Sequence, residues 1–166
     1  SLTSDYITRL PNTYLSTSYQ NISSLNSSYL SNAEQLANLL ILYANNTGYG
    51  LKWRQVLNFV DSSAEAGVSQ FYSGYFLGAA GIGDEFLELY SLTSNSSYLQ
   101  IAERSASYII SQAVYYNGRI YWTRSEDSST PYIGIKYGYA GIAKFFLNIY
   151  ENTHNNTYLE YAKKII

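Results

Sequence analysis

The chain has 166 residues, a net charge of −2 and no cysteine. Its length fits one domain, and so small a charge gives no basic surface for nucleic acid or an anionic membrane. A disulfide framework and a cysteine-ligated metal are excluded within these residues. Charged residues make up only 13% of the chain, about half the usual share, so neutral polar groups and tyrosines must hydrate the surface. No apolar run reaches the ~18 residues of a membrane-spanning helix.

The first recognisable element is a short helical motif, Asn26–Glu34, which matches Asn95–Glu103 at an offset of 69 residues. The same offset carries Trp53 onto Trp122. We expect a helix that starts near Asn26, then a short β feature over Thr47–Trp53. A polar loop with the sequence Asp-Ser-Ser follows it.

The central part of the chain contains a long repeat. Residues 72–106 and 132–166 align without a gap, and 14 of the 35 positions are identical. A repeat of this length indicates an architecture built from copies of one supersecondary unit. Apolar residues at positions i, i+4, i+7 and i+8 predict a helix over Gly78–Tyr90. Runs of Gly and Ala before this stripe predict close backbone approach between neighbouring helices.

Each glycine-rich helix is followed by a polar turn and a second helix, which opens at Tyr98-Leu99 and again at Tyr158-Leu159. Between the two repeats, Val114–Trp122 has Asn-Gly flanked by β-forming residues, which predicts a hairpin. We therefore predict an all-α fold of helical-hairpin repeats with short β-hairpins between them. The predicted domain is a single one over 1–166, with units at about 26–90, 95–150 and 155–166.

The motifs Gly78-Ala-Ala-Gly-Ile82 and Gly138-Tyr-Ala-Gly-Ile142, each followed by Thr-x-Asn-x-x-Tyr-Leu, resemble the lanthionine synthetase C-like family. The resemblance implies an α/α toroid whose inner helices begin at the glycine motif, with more repeats than this chain supplies. A partial toroid would pack against its remainder, or against a partner chain, beyond Ile166. Cyclases of the family hold zinc with two Cys and a His. Nothing here matches those ligands, since Cys is absent and His154 lies in a turn, so we predict no metal and no cofactor.

By analogy with α/α-toroid enzymes, the active site would lie where the inner helices begin, because helix N-termini favour anions. The candidate catalytic carboxylates, as general acid and base of a glycoside hydrolase, are Asp61, Glu126, Asp127 and Asp84. The candidate binding residues are Trp53, Tyr72, Trp122, Arg124 and Tyr132. The competing interpretation is structural. Asp61 and Asp127 suit turns or helix caps, and Lys144 replaces Asp84 in the second repeat.

Five Asn-x-Ser/Thr sequons are glycan acceptors if the protein is secreted, namely Asn21, Asn26, Asn45, Asn95 and Asn155. Three of them, Asn26, Asn95 and Asn155, stand at one repeated position two residues before Tyr-Leu. Asn there also suits a helix N-cap. Their repetition favours an exposed, glycosylated turn and an extracellular or cell-surface location.

Three functions stay open from the sequence. The first is a non-catalytic structural or binding module of a secreted or cell-surface glycoprotein, with carbohydrate as a candidate ligand. The second is a glycan-processing hydrolase that uses carboxylates at the inner-helix mouth. The third is a zinc-dependent peptide cyclase whose metal site lies outside this chain. Of these three functions, the sequence favours the non-catalytic module, and the two enzymes stay as alternatives.

Overall fold

The computed structural model describes residues 12–56, 69–76 and 78–165. The chain divides into two compact units, Ser1–Leu39 and Leu40–Ile166. The described part of the first unit is helix α1, Asn12–Leu42, whose last residues belong to the second unit. The predicted single domain and its repeat boundaries stay predictions.

Helix α1 differs from the sequence prediction, because Asn26 lies inside it rather than at a helix start. In the later copies, Asn95 and Asn155 each follow a residue in the left-handed conformation, which ends the preceding helix. Leu25 precedes Asn26, and leucine is a strong helix former. No Gly or Pro interrupts the stretch from Asn12 to Leu42 either, so the helix continues.

The second unit is mostly helical, with short strands between its helices. Its elements in chain order are β1 Ala44–Thr47, β2 Gly50–Val56, β3 Ser69–Phe71, α2 Ala79–Thr93, α3 Ser96–Ser111, β4 Val114–Tyr116, β5 Arg119–Tyr121, α4 Tyr139–Thr153 and α5 Asn156–Lys164. The helices predicted at the two glycine motifs and at Tyr98-Leu99 and Tyr158-Leu159 are confirmed, as are the two short β features. Among the described residues, no helix has the length and hydropathy needed to cross a membrane.

The strands form two antiparallel groups. Asn117 and Gly118 turn β4 into β5 with positive φ values of 48° and 75°, as the Asn-Gly signal predicts. Strands β1, β2 and β3 form a sheet in that order, with Arg54 opposite Phe71. Strand β3 was not predicted, since it falls in the polar stretch before the glycine motif.

The helices form two hairpins, α2 with α3 and α4 with α5, and α2 packs beside α4. The turns within the hairpins are built alike. Asn95 Oδ1 accepts from the Ser97 N–H at 3.0 Å, and Asn155 Oδ1 accepts from Thr157 N–H at the same distance. Each Asn is thus the N-cap of the second helix, which confirms the sequence interpretation for these two copies.

A matching set of aromatic rings fills the core of each hairpin. The Phe86 ring centroid lies 6.5 Å from that of Trp53 and 5.9 Å from that of Tyr98. The equivalent residues of the second hairpin are Trp122, Phe146 and Tyr158, with centroid distances of 5.9 and 6.3 Å. The repeat therefore encodes one packing unit, made twice.

Candidate functional site

The helices that begin at the two glycine motifs are α2 and α4, and we keep for them the name inner helices from the predicted toroid. The loops before them have the same backbone bonding. The Ala79 N–H donates to the Tyr72 carbonyl at 2.9 Å, and the Tyr139 N–H donates to the Tyr132 carbonyl at 2.9 Å. The next N–H of each helix, on Ala80 and Ala140, donates at 3.2 Å to the following loop carbonyl. Both helix starts are therefore occupied by their own loops. The expected anion site at these N–H groups does not fit this geometry.

The repeated glycines make room for these loops. A Cβ on Gly78 would lie 2.6 Å from the Gly74 carbonyl oxygen, and one on Gly138 would lie 2.7 Å from Gly134 N. The close approach is thus between each helix start and its preceding loop, rather than between two helices as the sequence suggested. Gly141 is an additional case, since its Cβ would lie 2.5 Å from Tyr75 Cβ of the first repeat.

Asp84 is the buried centre of a polar cluster between α2 and α4. Its side chain is 6% exposed, and Lys144 Nζ donates to Oδ2 at 2.6 Å. The Tyr75 hydroxyl also donates to Oδ2, and Asn148 Nδ2 donates to Oδ1 at 2.7 Å. Lys144 further contacts the Tyr75 hydroxyl at 2.8 Å. The acid and base that occupy equivalent repeat positions therefore bind each other across the two inner helices.

The protonation states of this cluster follow from competing effects. Burial raises the pKa of Asp84, but the hydrogen bonds from Lys144, Tyr75 and Asn148 outweigh it and leave the pKa below its ordinary value. Burial lowers the pKa of Lys144, but its hydrogen bonds to Asp84 and Tyr75 raise the pKa by more. The pKa of Lys144 therefore lies above its ordinary value. Burial, with the Asp84 bond, raises the pKa of Tyr75. The cluster holds one carboxylate, one ammonium and one neutral phenol. A group poised to exchange a proton near neutral pH would require the opposite shifts.

Glu126 belongs to a second cluster that joins three segments. Lys52 Nζ lies 2.7 and 2.9 Å from the two carboxylate oxygens, and the Tyr108 hydroxyl donates to Oε1 at 3.1 Å. Lys52 Nζ also lies 3.8 Å from the ring centroid of Phe71. Burial and the Glu126 carboxylate raise the pKa of Tyr108, so the phenol stays protonated as a donor. Both oxygens of Glu126 are engaged by residues from β2 and α3.

The other two candidate carboxylates are Asp61 and Asp127. Asp61 lies outside the described residues. Asp127 is exposed in the turn closed by the bond from the Ser128 N–H to the Ser125 carbonyl at 3.1 Å.

Three of the predicted binding residues do come together. The guanidinium carbon of Arg124 lies 5.7 Å from the Tyr72 ring centroid and 5.9 Å from that of Tyr132. Tyr137 completes the group at 5.5 Å. Tyr132 is 38% exposed, whereas Tyr72 is buried. We call Arg124, Tyr72, Tyr132 and Tyr137 the arginine–tyrosine cluster; its accessible face is Tyr132 with the half-buried Tyr137.

The two tryptophans were predicted to be binding residues, but the structure gives them a different role. Trp53 and Trp122 are 3% and 1% exposed. Each indole N–H donates at 2.7 Å to a carbonyl in the last turn of the preceding helix, Leu40 of α1 for Trp53 and Ile109 of α3 for Trp122. Carbonyls in the last turn of a helix lack the usual i+4 N–H donor, and the Ile109 carbonyl also accepts the Gln112 N–H at 3.1 Å. The tryptophans therefore cap helices from the core, and their ring faces are not available to a sugar.

The predicted glycan acceptors are differently placed. Asn45, Asn95 and Asn155 are exposed. Asn21 and Asn26 lie along helix α1, and their side chains lie outside what the structure describes.

Sequence reasoning missed Tyr75, Asn148, Lys52 and Tyr108 as members of the two polar clusters. One signal was present for the first cluster. Opposite charges at equivalent positions, Asp84 and Lys144, predict an ion pair if the inner helices lie side by side in register. The Lys52–Glu126 contact left no such signal, because it joins non-equivalent positions 74 residues apart.

Comparison with known proteins gives one match. The family model described as Lanthionine synthetase C-like protein matches residues 2–166. No curated protein and no solved structure matches the chain significantly.

The zinc that this family implies does not fit the residues present. The chain has no cysteine. His154 is an exposed helix C-cap with φ of 54°, and its ring packs edge-on against Tyr150. Within the described ranges, no group of three or more His, Cys, Asp or Glu residues is placed to hold a metal ion.

Proposed function

Because the chain belongs to the lanthionine synthetase C-like family, we propose that it is a non-catalytic structural or binding module on that scaffold. The family's toroid, with a further segment or partner packing beyond Ile166, is part of this proposal. The proposal also includes that the chain is part of a secreted or cell-surface glycoprotein.

The observation that carries the proposal is the engagement of the carboxylates at and near the inner-helix starts. Asp84 and Glu126 each bind a lysine and a tyrosine from another segment. A hydrolytic acid or base needs an oxygen aimed at substrate. Here these oxygens join repeats to each other, which favours a scaffold over the hydrolase.

The arginine–tyrosine cluster supports a binding role. Tyrosine offers a rigid apolar face with a polar hydroxyl and suits amphipathic ligands. A sugar ring presents such a surface, with C–H groups on one face and hydroxyls at its edge. We assign carbohydrate as the ligand class and Tyr132 as its principal contact.

Binding to a glycan array, followed by calorimetry, tests this assignment. We expect Tyr132→Ala to weaken binding by roughly tenfold or more, equivalent to about 1.4 kcal/mol. Tyr116→Ala is the matched control, because Tyr116 is 63% exposed on the β4–β5 hairpin. Equal binding by both variants would remove Tyr132 from the site.

The same samples discriminate between module and hydrolase. We expect no glycan cleavage by the wild-type chain. Cleavage that Glu126→Gln abolishes, with folding retained, would overturn the non-catalytic proposal in favour of the hydrolase.

The glycoprotein assignment rests on the repeated turn. Asn95 and Asn155 cap their helices through Oδ1, whereas a glycan attaches at the amide nitrogen Nδ2, so capping and modification use different atoms. We expect peptide mass spectrometry of native material to find glycan on at least one of them. Unmodified asparagine at every sequon would contradict a secretory route.

A further inference from the structure

Oxidants have few targets in this chain other than tyrosine. Cysteine and methionine, the usual sites of reversible oxidation in proteins, are both absent, whereas tyrosine occurs 20 times. Trp53 and Trp122 are buried in the core, at 3% and 1% exposure. Oxidative chemistry at the surface therefore falls on the exposed tyrosines.

One pair of tyrosines is placed to react together. The hydroxyl of Tyr115, on β4, lies 3.0 Å from the hydroxyl of Tyr161, on α5. Tyr115 is 64% exposed. Tyr161 is half-buried, and its ring centroid lies 5.8 Å from that of the buried Phe146. One ring is thus held by the core, and the other is accessible to an oxidant.

The space beside the pair lets the two rings approach each other. Both tyrosines line a cavity of about 380 Å³ between the β4–β5 hairpin and α5, together with Ile120 and Thr157. Coupling of two tyrosines joins the ring carbons next to the hydroxyls, so the exposed Tyr115 ring must turn toward Tyr161 into this space. In the coupled product the two hydroxyls flank the new bond, and they remain neighbours as they are in the structure.

The first repeat shows that this surface stays open when another unit is packed beside it. Asn46 of β1 is the equivalent of Tyr115, and Arg104 of α3 donates to its Oδ1. Asn46 and Arg104 are both exposed, although the second helical hairpin packs beside the first. The contact between a β-hairpin and a second helix is therefore repeated at the surface, and in the second repeat tyrosines make it.

We propose that Tyr115 and Tyr161 are the site of an oxidative cross-link, a dityrosine bond that ties the β4–β5 hairpin to α5. The co-reactant is a one-electron oxidant of the haem peroxidase class, supplied with hydrogen peroxide. It removes one electron from each phenol, and water accepts the two hydroxyl protons. The proposal does not depend on carbohydrate binding or on a secretory route.

The coupling step balances without any further reagent. The two phenoxyl radicals form one carbon–carbon bond between Cε atoms, one from each ring. The hydrogens on those two carbons then shift to the oxygens, which restores both phenols. Overall, the two tyrosines lose two electrons and two protons, and one molecule of hydrogen peroxide becomes two molecules of water.

Treating the full chain with a haem peroxidase and hydrogen peroxide, at a dilution that keeps coupling within one molecule, tests this site. We expect protease digestion and mass spectrometry to find the peptides of Tyr115 and Tyr161 joined, with the loss of two hydrogens. Tyr115→Phe and Tyr161→Phe should each abolish this joined pair, because phenylalanine has no hydroxyl to oxidise. Tyr116→Phe is the matched control, since Tyr116 is 63% exposed on the same strand, and it should couple like the wild type.

The cross-link should also stabilise the fold. It spans 46 positions of the chain and restricts the unfolded state as a disulfide does. We expect the Tm of the oxidised wild-type monomer to exceed that of equally treated Tyr115→Phe by at least about 5 °C. The proposal is overturned if Tyr115 and Tyr161 are joined no more often than Tyr116 is joined to another tyrosine. It is also overturned if the treated chains couple only between molecules.

Discussion

At the scale of single residues, the most informative side chain is Asp84. It is a carboxylate near the start of an inner helix, and the sequence analysis proposed it as a candidate catalytic acid. Its three donors come from the loop before α2 and from α4. A buried charge with this many partners is stabilised in its ionised form. The role of Asp84 is therefore structural, because it holds the two inner helices together.

The pH dependence of stability tests this role. Asp84 has a folded-state pKa below its ordinary 3.8, so its contribution is present above the unfolded-state pKa. That contribution is lost as the pH falls through the folded value. We expect the wild type to lose more stability than Asp84→Asn between about pH 5 and pH 2, measured by urea unfolding at each pH. Parallel curves for the two proteins would show that Asp84 gains nothing from its donors.

At the scale of elements, the repeated Trp–Phe–Tyr core explains why the helices and the hairpins could be predicted from sequence. The apolar spacing of Phe86 and the Asn-Gly turn are local signals, and local structure follows them. The long α1 could not be predicted in the same way. The motif at Asn26 copies the sequence of Asn95 but not the left-handed residue Ser94 that precedes it, and without that residue the chain continues as helix.

Removing the indole donors should affect both repeats alike. We expect Trp53→Phe and Trp122→Phe each to cost about 2–4 kcal/mol, since each removes the indole donor from a helix-end carbonyl and leaves core volume unfilled. Tyr116→Phe, on the exposed hairpin, should change stability by less than about 0.5 kcal/mol. Thermal unfolding gives both values. A large loss from one tryptophan and none from its equivalent would contradict the repeated packing unit.

The helix-start glycines allow a paired comparison within one loop. Gly138→Ala should cost about 1–3 kcal/mol, because its Cβ meets the Tyr132–Gly134 backbone and something must move. Gly134→Ala meets nothing within 4 Å and should stay within about 0.5 kcal/mol of the wild type. Equal effects of the two substitutions, in urea unfolding, would show that the loop does not need the space.

At the scale of the whole molecule, the candidate site was predicted only in part. The sequence located Arg124, Tyr72 and Tyr132 at one end of the helices, and the structure brings them together. The sequence analysis also proposed the two tryptophans and the carboxylates as ligand contacts. Which face of an element a side chain occupies, and which repeat lies opposite, depend on packing between distant segments. A single sequence shows neither, so Lys52, Tyr75 and Asn148 had no place in the prediction.

The polar groups near the inner-helix starts join the repeats, and the ion pair of Asp84 with Lys144 is the contact that links the two inner helices. A double-mutant cycle on Asp84→Asn and Lys144→Met, measured by urea unfolding at neutral pH, tests it most directly. Lys144→Met alone should cost about 1.5–3 kcal/mol, because it leaves a buried carboxylate without its cation. The double variant should recover part of that loss, giving a coupling of about 1–3 kcal/mol. The exposed pair Lys163–Glu160 is the control and should couple by less than about 1 kcal/mol. Additive effects at Asp84 and Lys144, within about 0.5 kcal/mol, would show that these side chains do not hold the two inner helices together.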